Sequence, residues 1–502
     1  MTFTLPDPRW RPHELGQPIP DERHAVSVCL PRWSDNVGYE EGDPAVTDAM
    51  QCGYPRFFIH PDTARLFAAC EQQVAESTDE CCFAFPTRRV AERCVEFVKR
   101  HAECDASVAA CFDGEVYAVR MPREARATAK AFWQHSGEII PSRRAADLLD
   151  GRRPESAAGD VKAVLKSRVG EMVGCDASDV YLFPSGMAAI FAGYRAFQRI
   201  RPDARSVQFG FPYVDALKVQ QRLSNRTDPE EAVSFFPHGA EADLEEVERL
   251  AAAEPLLGII CEIPGNPLLN SPNLEQLSRI SIEHGAPLMV DDTLGACLNL
   301  DVLPVCDVVT TSLTKFFSGA GNVLAGALAL NRERPFYAEI KAALEVEFED
   351  ILYPAEAVLL EENSRDVAER VPRINDNTLK LCQFLKQHPA VAEVYYPAFS
   401  DDGNYAQVQR PGAGYGGLFS VVLHDAERTT APFYDALQIS KGPNLGTSFS
   451  LCCPYTILAH YEELDFAEQC GISQHLVRVS AGLEDADVLI ERFRNALEAA
   501  SS

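Results

Sequence analysis

From Val161 onward, short apolar runs alternate with segments whose apolar positions recur every three or four residues. VKAVLKSRVGEMVG (161–174) carries the helical period and closes on Gly174, and DVYLF (179–183) reads as a strand. MAAIFAGYRAFQRI is the next helix and SVQFGF the next strand. The series continues with ADLEEVERLAAAE, LLGIICEI, a helix from Ser271 to Gly285 with Pro272 in its first turn, APLMV, VCDVVTTS and VLAGALAL. Strands alternating with helices of this length predict parallel βαβ units, hence an α/β fold with a mostly parallel sheet covered on both faces. Active sites of such sheets lie at the carboxyl ends of the strands.

The flanking regions follow other patterns. Residues 1–60 read as irregular, rich in Pro, Gly and charge. After them, helical stretches at 60–76 and 88–103 alternate with strand-like pieces such as EVYAVRM. DGRRPESAAG (150–159) looks like a surface loop. A long helical region covers about 334–388, followed by the strand GGLFSVVLH and a final amphipathic helix over 486–499. The predicted organisation is an N-terminal extension with α+β elements (1–150), a large α/β domain (151–335), linking helices (336–388) and a smaller α+β C-terminal domain (389–502).

Charge narrows the function classes. Among the 502 residues, 74 acidic against 46 basic side chains leave a net charge of −28, which argues against a nucleic-acid or anionic-membrane surface. No apolar run has the length of a membrane helix, and the polar, Pro-rich N-terminus has no signal pattern. The sixteen cysteines show no zinc spacing, so a reduced, cytoplasmic setting is expected, with most of them as small core residues.

Four features fall on strand ends. Ser185-Gly186-Met187 opens a helix after DVYLF, where bare amides form an anion site; a plain structural turn has the same composition. Asp291 and Asp292 close APLMV, as solvated turn residues or as a partner for a cation such as a pyridinium nitrogen. Lys315 follows the hydroxyls of Thr310, Thr311, Ser312 and Thr314; a desolvated Lys forms an imine with an aldehyde, whereas a surface Lys merely snorkels. Arg478, flanked by apolar residues in LVRVS, suits bidentate capture of a carboxylate or a structural ion pair. Taken together, the anion site, the acid, the Lys and the Arg make up the inventory of a pyridoxal 5′-phosphate (PLP) enzyme.

FPSGMAAI, CEIPGNPLL, VDDTLG, TSLTKFFSGAGNVLAG and LVRVSAGLED, in this order, resemble the Cys/Met-metabolism family of PLP enzymes, the trans-sulfuration enzymes. CGYPRFFIHP, FPTRRVAERC and AFWQHSGEIIPSR are similar to the extended fungal branch of its cystathionine γ-synthases. The resemblance implies PLP fold type I (aspartate-aminotransferase-like), with Lys315 as covalent anchor and proton shuttle and Asp291 on the pyridinium nitrogen. Gly186 and Met187, with Ser185, Ser312, Thr314 and Thr293, would hold the cofactor. Tyr213 would stack on its ring, Asn266 would contact its phenolic oxygen, and Arg478 and Asn444 would bind substrate. The family also takes a Tyr-x-Arg pair from a neighbouring subunit to the phosphate, shortly before its SGM motif. Tyr54-Pro55-Arg56 has those residues but lies far upstream; Arg143 has the better spacing, with Pro141 where the Tyr would stand.

Asn322, Ala320, Asp292 and Asn444 depart from the usual family residues. The expected reaction is γ-substitution on an O-activated L-homoserine, such as O-acetylhomoserine, by a homodimer or homotetramer with shared active sites. Cysteine is the first choice of nucleophile. A carbon or nitrogen nucleophile such as a β-keto acid, a γ-lyase, and a scaffold that has lost its chemistry are the alternatives.

Overall fold

The computed structural model describes residues 5–152, 158–226, 228–400 and 402–501. Its strands form three sheets. In the N-terminal region β1 (Glu80–Phe85), β2 (Ser107–Cys111) and β3 (Val116–Pro122) pair antiparallel in the order β1-β3-β2. Helices Pro61–Val74, Arg88–Ala102 and Arg126–Ser136 accompany this sheet. β1 is an unbroken apolar run, and all of its residues after Glu80 are buried, as expected for a strand covered on both faces.

The large sheet contains β4 (Val180–Phe183), β5 (Ser206–Phe209), β6 (Val233–Phe236), β7 (Ile259–Glu262), β8 (Leu288–Asp291), β9 (Val308–Thr311) and β10 (Gly326–Leu330). Their spatial order is β4-β10-β9-β8-β7-β5-β6. Strands β6, β5, β7, β8 and β9 run parallel to one another, while β10 runs antiparallel to both β4 and β9. The expected α/β architecture is present, with a mixed sheet. The reason for the reversal is local: no helix separates β9 from β10, so the chain doubles back without the crossover that a parallel partner requires. Strand β6 follows a polar stretch and was not anticipated from the pattern. The helix expected from Ser271 starts later, at Leu274, because Asn273 caps it by accepting from the Gln276 amide at 3.1 Å; Pro272 therefore lies outside.

In the C-terminal region β11 (Val391–Tyr395), β12 (Leu418–Leu423), β13 (Ser440–Lys441), β14 (Leu451–Pro454) and β15 (Val477–Ser480) form a sheet in the order β11-β12-β15-β14-β13. Three helices, Tyr337–Glu347, Pro354–Asn363 and Val367–Lys386, lead into it, and helix Ala486–Ala500 ends the chain. Of the loop expected at 150–159, residues 153–157 lie outside the described residues, and a helix starts at Ala158.

Residues 5–60 are more ordered than their composition predicts. They hold a helix, Trp33–Glu40, and an extended segment bonded to the rest of the chain. The Val26 amide donates to Gly321 O at 2.9 Å, the Leu30 amide to Lys441 O at 3.0 Å, and the Tyr434 hydroxyl to Leu30 O at 2.9 Å. Backbone bonding to distant partners leaves no periodic hydrophobic signature, which is why the segment reads as irregular.

One apolar core joins the N-terminal sheet to the large sheet, running from Phe83, Phe85 and Phe132 to Phe191, Tyr194 and Leu328. Phe132 is 1% exposed and meets Phe85 and Phe191 edge-on, at ring-centre distances of 5.7 and 6.4 Å. Truncating it leaves a cavity at the seam between the two regions. Phe132→Ala should destabilise the protein by about 3–5 kcal/mol, measured as a lowered midpoint of urea unfolding; an unchanged midpoint would contradict the shared core.

Candidate active site

Strands β7, β8 and β9 run parallel, so Glu262, Asp291 and the residues after Thr311 arrive at the same edge of the sheet. There they line a cavity bounded on the other sides by the segment Val28–Phe57, the start of helix Gly186–Ile200 and the C-terminal region. Lys315, Asp291, Tyr213, Gly186, Met187, Asn266, Thr293, Ser312 and Arg478 all line it.

Lys315 is buried, and its Nζ donates to Asn444 Oδ1 at 2.6 Å and lies 4.3 Å from the centre of the Tyr54 ring. Burial lowers its pKa, and Arg478 and Arg56 push the same way against the opposing Tyr54. Tyr54 moves down as well: burial alone would raise it, but the cations Lys315 and Arg56 outweigh that. Asn444 does not line the cavity, yet its Nδ2 is buried and has no partner, a free donor beside the lysine.

Asp291 closes β8. Its Oδ1 accepts from the Thr293 amide at 2.8 Å and its Oδ2 from the Thr310 hydroxyl at 3.1 Å. The register sets Glu262 beside it, and burial raises the proton affinity of both carboxylates, with mutual repulsion adding to that of Glu262. Glu262 also accepts from the Tyr213 amide at 2.6 Å. Glu262 was missed from the sequence; the signal was its place at the end of a strand parallel to the one that carries Asp291.

Ser185 caps helix Gly186–Ile200, and its hydroxyl is used in doing so: it accepts from the Ala188 amide at 3.1 Å and donates to Gly137 O at 2.8 Å. The first amides of the helix have no intrahelical acceptor, which leaves an anion site at Gly186 and Met187. Gly186 is required sterically, because a Cβ there would lie 2.7 Å from Ser312 Cβ. Arg478 Nη1 donates to Asn266 Oδ1 at 3.1 Å and Nη2 to Pro443 O at 2.8 Å, and the guanidinium lies over the Tyr455 ring, 4.7 Å from its centre.

Two expectations are corrected. Thr314 faces away from the cavity: its hydroxyl is fully buried and exchanges hydrogen bonds with the Ala325 backbone at 3.3 and 3.1 Å. Ser185 is a cap, with its oxygen taken up by the protein. Arg143 Nη1 contacts both oxygens of buried Glu356 at 2.9 Å. Tyr54 and Arg56 line the cavity of their own chain. The N-terminal sheet and its helices lie between Arg56 and Gly186 in sequence, and the fold brings both residues onto one wall. Of the departures from the family, Asp292 and Asn322 lie off the wall. Asp292 is buried with Oδ1 unpaired, and Asn322 donates to Glu22 Oε2 at 2.9 Å.

A buried, cation-flanked amine is unprotonated at a lower pH than a solvated lysine. In the apoprotein, Lys315 should therefore be reductively alkylated by a small aldehyde near neutral pH well ahead of surface lysines, as read by peptide mapping. Labelling confined to exposed lysines would contradict this.

The description Cys/Met metabolism PLP-dependent enzyme matches residues 158–498, and fungal trans-sulfuration enzyme, N-terminal domain, matches residues 62–141. Cystathionine γ-synthase of Neurospora crassa is 35% identical, with 97% of this chain and 99% of that protein covered. The cystathionine γ-synthase-like enzyme iboG2 of Amanita muscaria is 33% identical over 97% of this chain and 96% of its own length. The crystal structure of cystathionine γ-synthase from Xanthomonas oryzae pv. oryzae in complex with cystathionine superposes with a TM-score of 0.60 at 22% identity, covering 70% of this chain and 88% of that one. With two matched regions in order and both relatives aligned over nearly the whole chain, the protein belongs to the Cys/Met-metabolism PLP-dependent enzymes and carries the N-terminal domain of the fungal trans-sulfuration branch.

Proposed function

We propose that the protein is a transferase that replaces the γ-substituent of an O-activated L-homoserine, such as O-acetylhomoserine, with the sulfur of cysteine, as the name cystathionine γ-synthase describes for its relatives. The observation that carries the reading is the convergence of Lys315, the Asp291–Glu262 carboxylates, the Gly186 helix start and Arg478 on one cavity. These groups fit PLP: a helix N-terminus for a phosphate, a carboxylate for a ring nitrogen, an amine for an aldehyde, and a glycine that leaves room for close approach. Bound PLP supplies an electron sink that acidifies the protons of an attached amino acid.

The chain's own residues supply the rest. Gly186 and Met187 amides hold the phosphate with Ser312, while Thr293 accepts from the Ser312 amide at 2.8 Å and fixes that turn. Asp291, steadied by two hydrogen bonds, keeps a proton on the ring nitrogen. Tyr213 and Asn266 hold the ring. Arg478 binds the substrate carboxylate, and Lys315 moves protons at Cα and Cβ. The ester Cγ–O bond then breaks, and the cysteine thiolate forms the new Cγ–S bond.

This reading includes a homo-oligomer working in the cytoplasm. The reduced setting of this reading is supported by cysteines that are all free and mostly buried; among the described residues no helix is long and apolar enough to cross a membrane.

A second reading changes only the nucleophile. Among the described residues the cations lining the cavity are Arg56, Lys315 and Arg478. Arg56 is paired with Asp215, and the other two are assigned to the cofactor and the first substrate. The outer wall is otherwise apolar, with Leu30, Met50, Phe57 and Leu458, and its only charge is Glu40, whose pKa burial raises to about 7. An acceptor without a carboxylate, such as a neutral thiol, amine or carbon nucleophile, suits that wall.

Mass spectrometry of products from O-acetylhomoserine with cysteine, against neutral thiol, amine and carbon acceptors, separates the readings. Cystathionine supports the first, a different adduct supports the second, and a ketoacid formed without acceptor indicates a γ-lyase. Lys315→Ala should lose both the visible cofactor band and turnover; retention of either would overturn the assignment. Arg478→Lys loses a charge-assisted contact worth about 2 kcal/mol, so kcat/KM should fall roughly 30-fold, mostly through KM.

A further inference from the structure

A line of buried polar groups that the steps above leave unused connects the N-terminal region to the cavity. Arg56 is 2% exposed, Asp215 is 0% exposed, and the two form an ion pair. Arg56 Nη1 also donates to Gln134 O at 3.1 Å, and its Nη2 donates to the Tyr213 hydroxyl. On the other side, Asp215 Oδ1 accepts from Gln134 Nε2 at 3.1 Å and lies 3.0 Å from His135 Nδ1. Gln134 and His135 belong to helix Arg126–Ser136 of the N-terminal region, and Asp215 to helix Val214–Arg222, which begins directly after Tyr213.

Taking two charges out of water is expensive and is offset only when the remaining hydrogen-bonding capacity is filled. Here both oxygens of Asp215 are used, one by Arg56 and the other by the N-terminal helix. An apolar pair would join the two regions at less desolvation cost. What the ion pair adds is a fixed position for Arg56 and a balance of charge at the Tyr213 hydroxyl.

We propose that the N-terminal region acts on the cavity through this relay, with Asp215 as a positioning residue that fixes Arg56 and thereby the place and the protonation state of Tyr213. The proposal rests on the reading that Tyr213 holds the cofactor ring. Tyr213 faces Arg56, Asp215, Tyr54 and Tyr455, with Lys315 beyond Tyr54 and Glu262 on its backbone amide. Asp215 faces Arg56 and His135, with Arg222 Nη1 3.5 Å behind the imidazole. Burial holds the Tyr213 phenol neutral, Arg56 draws it towards ionisation, and Asp215 opposes Arg56. Removing the Asp215 charge leaves Arg56 uncompensated, so the phenol must ionise more easily.

The test uses the holoenzyme. Asp215→Asn keeps the shape and removes the charge. An ultraviolet difference titration should show one tyrosine ionising about one pH unit lower, a tenfold change in proton affinity. That signal should vanish in Asp215→Asn/Tyr213→Phe, and the alkaline limb of the kcat profile should move down with it. Asp215→Ser removes the same charge with a smaller side chain and should shift the tyrosine in the same direction; it carries the test if Asp215→Asn does not fold. Variants that lose thermal stability while the tyrosine titration and pH profile stay as in the parent would overturn the relay. An unchanged cofactor spectrum in Tyr213→Ala would instead overturn the reading of Tyr213 at the ring, whatever the titration of Asp215→Asn shows.

Discussion

An amine that has to be reactive near neutral pH must be kept from holding its proton, and the site is arranged around that requirement. Burial of Lys315 removes the water that would solvate an ammonium, and Arg478 and Arg56 make a further positive charge unwelcome. The same burial raises the proton affinity of Asp291 and Glu262. Burial thus acts on both kinds of group in one cavity, holding Lys315 towards its neutral form and the carboxylate pair towards protonation. Lys315 donates to Asn444, which orients it without supplying a negative charge.

Such a cavity needs walls, and the large sheet supplies only some of them. Its parallel strands deliver the acids and the lysine loop to one edge, and β10 turns back antiparallel so that the loop after β9 stays at that edge. The C-terminal sheet brings Arg478 on β15. The remaining wall comes from the segment Val28–Phe57, itself bonded to the C-terminal region through Leu30 and Tyr434. The N-terminal sheet shares its core with the large sheet, so its helix bearing Gln134 and His135 is rigidly placed against Asp215. An extension that looks peripheral along the chain is therefore part of the framework of the site.

The hydrophobic pattern by itself determined the alternation of strands and helices from Val161 onward, and with it the edge at which chemistry is found. It also determined the chemical inventory, because a lysine after hydroxyls, an acid ending an apolar strand and a Gly-opened helix are local features. What it left undecided was everything that depends on contacts between distant segments. The pairing of Glu262 with Asp291 follows from register, the place of Arg56 on the cavity wall from a fold that closes over an intervening region, and the turning of Thr314 away from the cavity from the way its loop packs on Ala325. Local periodicity reports which face of an element is buried; which segment buries it, and which charge meets which, only the tertiary structure decides.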